Sequence, residues 1–224
     1  MLHGFPRWTV PVAAAALAAL AAMVAITAAT GVSQETFEIY RAPDVYAADL
    51  RDHALALRAL FGIDSAFLVL YTALLVGVAN ALATPATRTL LGVAIAATVV
   101  TALLDMVEDH HILAMLRAAE TGQPPTAGEL VFQHAASQVK FNASYLGLFV
   151  LGLHVPRDAL AGRALAWLLT AGTLVQSAWL YAAPDAMLPV GNLGRWLGFV
   201  AGFALIIALA RRPRAPSRLA AGVA

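Results

Sequence analysis

Five ionisable side chains lie within seven positions of one long apolar stretch of the sequence. They are Asp105, Glu108, Asp109, His110 and His111, and the apolar stretch runs from residue 90 to residue 116. A charged side chain at the centre of a membrane helix costs about 2.5 to 3.5 kcal/mol on insertion scales, so these groups need partners. Carboxylates and imidazoles in such a place can bind a cation, move protons or form buried ion pairs.

The composition indicates an integral membrane protein. Of the 224 residues, 61% are hydrophobic and only 12% are charged, and the mean hydropathy is +0.76. A soluble domain carries about 25% charged residues. The net charge is +1 and the basic residues lie at segment ends, which argues against nucleic-acid binding. The absence of cysteine excludes disulfides and thiolate metal sites.

Six apolar segments are each long enough to cross a membrane as a helix. The predicted helices cover residues 8–30, 59–82, 89–116, 130–155, 164–182 and 190–210. The expected fold class is therefore all-α, a polytopic bundle of six transmembrane helices that forms one membrane domain over residues 1–212. Residues 31–57 form an outer extramembrane segment in this prediction. A cleaved signal peptide is the alternative for the first helix, although signal peptides have a shorter apolar region of about 7 to 15 residues.

The arginines predict the orientation in the membrane, because cytoplasmic loops carry an excess of basic residues. With a cytoplasmic amino terminus, the inner segments hold eight arginines against one acid, and the outer segments hold five arginines against eight acids. We therefore expect both termini on the cytoplasmic side of a bacterial inner membrane. Residues 213–224 would form a basic tail against anionic lipid.

The polar residues of the third and fourth predicted helices lie at matched depths. Glu108 and Gln138 are each about 12 Å from the outer end of their helix, and Asp105 and Lys140 are about 16 and 15 Å from it. Helical periodicity places these groups on facing surfaces of two neighbouring antiparallel helices. The predicted polar core consists of Asp64, Asp105, Glu108, Ser137, Gln138 and Lys140.

This polar core has a structural interpretation and several functional ones. Lys140 paired with the carboxylates would make it a buried ion-pair network in a structural or assembly subunit. Alternatively, Glu108 and His111 form an E-x-x-H step that, with His134, Asp64 or Asp109, offers ligands for one zinc, iron or manganese ion. With such a metal the protein would be a membrane-embedded hydrolase, with Asp109 and Glu108 as the catalytic acids and bases.

Two further alternatives use the same groups. A proton-coupled transporter would use the acids and histidines as a relay, but the inner end of the third helix offers no polar path. Haem between His111 and His134 is disfavoured because the acids beside His111 would repel an anionic cofactor.

The sequence also resembles a loosely defined group of uncharacterised bacterial multi-pass membrane proteins. The similar residues are Phe37-Glu38, Asp64-Ser65-Ala66-Phe67 with Tyr71, Asp105-Met106-Val107-Glu108, and Lys140. An asparagine commonly follows the glutamate in that group, and this sequence has Asp109 there. The resemblance implies a shared bundle whose polar core includes Asp64, Asp105, Glu108 and Lys140, and it implies no activity.

The best-supported expectation from the sequence is an outward-facing polar site that binds a cation or a lipid headgroup. The expected partners are membrane lipid and either a second copy of the chain or another subunit of a membrane complex. Nucleic acid is not an expected partner.

Overall fold

The fold is helical throughout the residues that the structure describes. The structure is a computed structural model, and it describes residues 5–182 and 190–212. The elements in order are α1 (Thr9–Thr30), a short 3-10 helix (Gln34–Phe37), α2 (Pro43–Asp52), α3 (Ala54–Leu82), α4 (Arg88–Glu120), α5 (Ala127–His154), α6 (Leu160–Trp167), a π-helical turn (Leu168–Gly172), α7 (Thr173–Ala182) and α8 (Val190–Ala210). Those two ranges contain no strand, so the predicted all-α class is confirmed.

Within the described residues, four helices are long and apolar enough to cross a membrane. They are Thr9–Thr30, Ala54–Leu82, Arg88–Glu120 and Gly191–Ala210. α5 is interrupted by polar side chains such as Lys140, and the π-helical turn divides the next predicted span into α6 and α7, of 8 and 10 residues. The prediction of six spans with cytoplasmic termini stays a prediction. The turn predicted at residues 184–189 and the basic tail at 213–224 lie outside the described residues.

α3 begins earlier and α4 ends later in the sequence than the hydropathy predicts. α3 begins at Ala54 and α4 ends at Glu120, several residues beyond the apolar segments. These extensions carry polar side chains, and Arg58 Nη2 donates to both carboxylate oxygens of Glu120, at 2.9 and 2.7 Å. Backbone hydrogen bonding continues a helix past the point where its side chains stop being apolar, so hydropathy underestimated both lengths.

α4 and α5 pack along each other more extensively than any other described pair of helices. Small residues allow this close approach: a Cβ atom at Gly147 of α5 would lie 3.1 Å from the Cβ of Ala97 and 3.3 Å from the carbonyl oxygen of Ala94. Small side chains at a crossing point are typical of helix pairs in membranes, because dispersion contacts replace the hydrophobic effect there. This contact fixes the distance between the two polar helix faces.

The segment between α1 and α3 folds back onto the bundle. Gly31 caps the end of α1, and its positive φ of 73° lets its N–H donate to the carbonyl of Thr27. Tyr46 of α2 is fully buried, and its hydroxyl donates to the carbonyl of Phe37 at 2.9 Å. The rings of Phe37 and Tyr46 meet edge to face, with Arg41 over both. These contacts join the short 3-10 helix to α2, and α2 in turn packs against α4.

Removing the Tyr46 hydroxyl should weaken this attachment and change its response to alkali. Tyr46→Phe leaves the Phe37 carbonyl without its donor, so we expect a loss of about 1 to 2 kcal/mol in the free energy of unfolding. Burial raises the pKa of Tyr46 well above its ordinary value. The unfolded chain therefore loses this proton near pH 10 while the folded chain keeps it, so stability falls as pH rises above that point.

Thermal unfolding of the purified protein in detergent between pH 7 and pH 11 measures both effects. The decline at alkaline pH should be shallower for Tyr46→Phe than for the unchanged protein. Tyr40→Phe is the matched control, because Tyr40 is 48% exposed. Equal alkaline slopes for all three proteins would show that the Tyr46 proton makes no contribution.

Candidate functional site

Lys140 is the centre of a buried ion-pair cluster. Its side chain projects from α5, and the residue is 4% exposed. The Nζ atom donates to Glu38 Oε1 at 3.0 Å, to Asp105 Oδ1 at 2.9 Å and to the Oε2 atom of Glu108. An ammonium group has three N–H donors, so these three carboxylates use all of them. The structure thus brings together Asp105, Glu108 and Lys140 of the predicted polar core and adds Glu38.

The second carboxylate oxygen of Glu108 is also fully engaged. Oε1 accepts from Gln133 Nε2 at 3.0 Å and from the hydroxyl of Ser137. The amide oxygen of Gln133 lies 2.6 Å from Nδ1 of His111, and because a carbonyl can only accept, His111 is the donor. A continuous hydrogen-bonded chain therefore runs from His111 through Gln133 and Glu108 to Lys140.

His134 and Gln138 were also predicted for the metal site and the polar core, and they lie outside this hydrogen-bonded path. The Nδ1 atom of His134 donates to the backbone carbonyl of Glu38 at 3.3 Å. Gln138 is half-buried, and its side chain makes no hydrogen bond within the described part of the chain. The exposed His110 donates to the carbonyl of Met106 in its own helix. His111 and His134 thus have separate partners, and the carboxylate group close enough to share an ion within the described residues includes Asp64 but not Glu108, His111 or His134.

A second group of carboxylates lies beside the Lys140 cluster. Asp64 of α3 and Asp105 and Asp109 of α4 each place an oxygen within 4.8 Å of the other two. Asp64 and Asp109 are buried, and the Oδ2 atom of Asp64 has no hydrogen-bond partner. Tyr71 donates to Asp105 Oδ2 at 3.5 Å. Three carboxylates this close require a shared proton or a cation to offset their repulsion.

Of the predicted zinc, iron and manganese, these three carboxylates favour manganese. A group of carboxylates without imidazole or thiolate favours a hard cation such as magnesium, calcium or manganese. The group shares Asp64 and Asp109 with the predicted metal ligands. The metal site of the sequence prediction stays a prediction.

The 3-10 helix and α8 complete the polar surface. Glu35 Oε1 accepts from the indole Nε1 of Trp196 at 2.7 Å. Arg195 Nη1 lies 3.9 Å from Glu38 Oε2, and the guanidinium lies over the ring of Phe141, 4.0 Å from its centroid. Glu35 and Glu38 are buried although the segment that contains them is predicted to be extramembrane. Sequence reasoning missed both as site residues, and the Phe37-Glu38 pair of the resemblance was the available signal.

These groups form one end of a cavity of about 230 Å³ that lies between the helices. The polar end is lined by Gln34, Glu35, Glu38, Asp64, Asp105, Lys140 and Arg195. The remaining wall is mainly apolar and includes Leu20, Met23, Phe67, Leu75, Leu148, Leu168, Phe199, Phe203 and Ile206. On α8 the lining runs from Gly194 to Ile206, about 18 Å along the helix axis. The cavity therefore combines a charged end with a long apolar body.

The π-helical turn contributes to the apolar wall. Leu168, Leu169 and Gly172 of this turn line the cavity. A π-turn inserts an extra residue into a helix and is frequent at functional sites, because it reorients the side chains on either side. Here it places both Leu165 of α6 and Gln176 of α7 on the cavity wall.

Comparison of the chain with protein families, with curated proteins and with solved structures finds no match.

Proposed function

We propose that the protein binds a single-chain amphiphile of the membrane inside the helix bundle. The observation that carries this proposal is the dual character of the cavity. Charged and amide side chains gather at one end, and leucine and phenylalanine side chains form most of the rest. A lipid with a polar headgroup and one apolar chain matches both parts.

The size of the cavity favours one chain over two. Pockets for drug-sized ligands occupy about 300 to 1,000 Å³, and this cavity is slightly below that range. A phospholipid with two acyl chains would need more space than the bundle offers. A lysophospholipid or another single-chain amphiphile is therefore the proposed ligand class.

The position in the membrane forms part of the proposal. The acidic segment that contains Glu35 and Glu38 lies on the outer side in the orientation that the arginines predict. We place the polar end of the cavity near the outer leaflet, with six spans and both termini cytoplasmic. The inward-facing polar surface of α5 explains why that span escapes a hydropathy criterion, since its charged groups face partners and not lipid.

Binding of palmitoyl lysophosphatidylethanolamine tests the proposal. The protein in vesicles of phosphatidylethanolamine and phosphatidylglycerol should retain one molecule of this lipid in native mass spectrometry. Gly198 lines the cavity, and a Cβ atom there would meet no atom within 4 Å, so Gly198→Leu adds bulk without a backbone clash. We expect this substitution to reduce the bound fraction at least tenfold.

Gly62→Leu is the matched control. Gly62 lies within α3, its Cβ position is equally free, and it is exposed and absent from the cavity wall. Both substitutions change helix propensity alike, so the two proteins differ mainly in the space left inside the bundle. Equal lysophospholipid retention by Gly198→Leu and Gly62→Leu would overturn the proposal.

A second candidate function is the binding of a divalent cation at Asp64, Asp105 and Asp109. The specific observation in its favour is the Oδ2 atom of Asp64, which is buried and without a partner among two further carboxylates. A metal-dependent hydrolase would require this cation, which would activate water beside the cavity. Such a cation would change the expected effect of substituting Asp109. Substituting Asp109 therefore distinguishes cation binding from amphiphile binding.

A further inference from the structure

We infer that the headgroup of the bound amphiphile is a primary ammonium, a cation that donates hydrogen bonds. This inference rests on the proposed function and specifies its ligand. It depends on which polar atoms at the cavity have partners and which do not.

The polar atoms without partners at the cavity are mainly acceptors. Five residues of the lining have a buried side-chain atom that makes no hydrogen bond: Gln34 Oε1, Glu35 Oε2, Asp64 Oδ2, Tyr145 Oη and Gln176 Oε1. Carboxylate oxygens accept hydrogen bonds and do not donate them when ionised. Buried polar groups are almost always paired in folded proteins, so several such atoms around one cavity indicate a ligand with donors.

Both basic groups at the cavity already have partners, and Lys140 has no donor left. Lys140 donates all three of its N–H groups to Glu38, Asp105 and Glu108. The guanidinium of Arg195 lies over Phe141 and donates to the side-chain oxygen of Asn192. A phosphate or carboxylate headgroup could use only the remaining N–H groups of Arg195, and there it would compete with Glu38, whose Oε2 lies 3.9 Å from Nη1.

The charges of the cavity lining also favour a positively charged ligand. Four carboxylates line the cavity, those of Glu35, Glu38, Asp64 and Asp105. Two basic groups line it with them, Lys140 and Arg195. An ionised lining would carry an excess of two negative charges, which an ammonium offsets and a phosphate increases. In a poorly hydrated interior this difference is larger than in water.

The need for donors distinguishes a primary ammonium from a quaternary one. A primary ammonium carries three N–H donors, as lysine does, and can satisfy Asp64 and Glu35 in addition to supplying charge. A quaternary ammonium supplies the charge alone and is usually recognised by aromatic rings that surround it. The orphaned oxygens therefore favour the primary amine.

Three amphiphiles that share a dodecyl group and differ in headgroup test this inference. They are dodecylamine, dodecyltrimethylammonium and dodecyl phosphate. Each is titrated at neutral pH onto the full chain in nanodiscs of a zwitterionic lipid, and binding is read by native mass spectrometry. Only the binding that Gly198→Leu abolishes is counted, which removes partition into the bilayer. We expect dodecylamine to bind at least tenfold more tightly than either other probe.

Substituting Glu35 and Asp64, each of which has a carboxylate oxygen without a partner, tests where the ammonium headgroup binds. Glu35→Gln and Asp64→Asn should each weaken dodecylamine binding at least fivefold and leave dodecyl phosphate binding unchanged or stronger. Glu120→Gln is the control, because Glu120 is exposed and pairs with Arg58 away from the cavity. If Asp64→Asn does not fold, Glu35→Gln tests the same point, since its Oε1 contact with Trp196 can be kept by an amide oxygen.

The outcomes separate the inference from the proposed function. Binding of dodecyl phosphate as tight as that of dodecylamine, and sensitive to Gly198→Leu, would overturn the inference and leave the proposed function standing. Equal binding of dodecyltrimethylammonium would overturn the requirement for donors. If none of the probes and no lysophospholipid binds in a way that Gly198→Leu abolishes, the proposed function itself fails and the inference fails with it.

Discussion

Lys140→Met is expected to lower the free energy of unfolding by about 3 to 5 kcal/mol. The substitution removes one buried cation and leaves Glu38, Asp105 and Glu108 without the donor that they share. Breaking a buried ion pair by removing one partner costs this much because the other partner keeps its charge without compensation. Unfolding in mixed micelles of mild detergent and sodium dodecyl sulfate measures the loss.

A combined substitution separates the charge effect from the loss of packing. Lys140→Met with Glu108→Gln and Asp105→Asn removes the lysine together with two of its three carboxylate partners, and the third, Glu38, keeps Arg195 at 3.9 Å. We expect this triple variant to regain more than half of the lost stability, because apolar or neutral replacement of a whole buried ion pair is often nearly neutral. A triple variant as unstable as Lys140→Met would show that the aliphatic stem of the lysine, and not its charge, supports the bundle.

Neighbouring carboxylates of α4 are expected to respond in opposite directions. Glu108→Gln should lower the free energy of unfolding by about 2 to 3 kcal/mol, because Glu108 accepts from Lys140, Ser137 and Gln133 and the charge strengthens each bond. Asp109→Asn should leave stability unchanged or raise it by up to about 1 kcal/mol, since it relieves the repulsion from Asp64 and Asp105. The same unfolding assay compares both variants.

The Asp109 result also decides between the two candidate functions. If a divalent cation joins Asp64, Asp105 and Asp109, then Asp109→Asn removes a ligand and should destabilise the protein as much as Glu108→Gln does. Elemental analysis of protein purified without chelator would then show stoichiometric metal in the unchanged chain and less in the variant. Asp105→Asn is unsuitable for this purpose, because Asp105 also pairs with Lys140.

Much of the helical framework can be predicted from hydropathy and helical periodicity. α1 begins and ends within one residue of its predicted bounds, because an apolar run after Arg7 stops at a glycine that caps the helix. The juxtaposition of Asp105, Glu108 and Lys140 follows from matched depth on two antiparallel helices joined by a short loop. Such local rules suffice where neighbours in sequence are also neighbours in space.

Gln133 could have been found by the same reasoning. Gln133, Ser137 and Lys140 are spaced at i, i+4 and i+7, so they share one face of α5. The prediction chose His134 and Gln138, which lie about 100° and 140° around the helix from Gln133. Depth alone does not separate the centre of a helix face from its edge, and the angular position of each residue decides which side chain reaches Glu108.

The role of the 3-10 helix could not be predicted in this way. Glu38 is 102 positions from Lys140 in the sequence, and no periodicity connects the two residues. The segment has the charged composition of an exposed loop, and its burial depends on Tyr46 and Phe37 packing against the bundle. A contact of this kind is decided by tertiary packing, which a single sequence does not encode in a local pattern.

The buried lysine has one more consequence, for how the protein can be observed. Lys140 is the only lysine among the 224 residues, so an amine-reactive reagent meets a single side-chain target in the chain. The three carboxylates and the burial shield that amine, so it reacts only when these ion pairs open. The rate of acylation at Lys140 therefore measures how often this part of the membrane interior opens. It can be followed in intact cells without adding a label to the sequence.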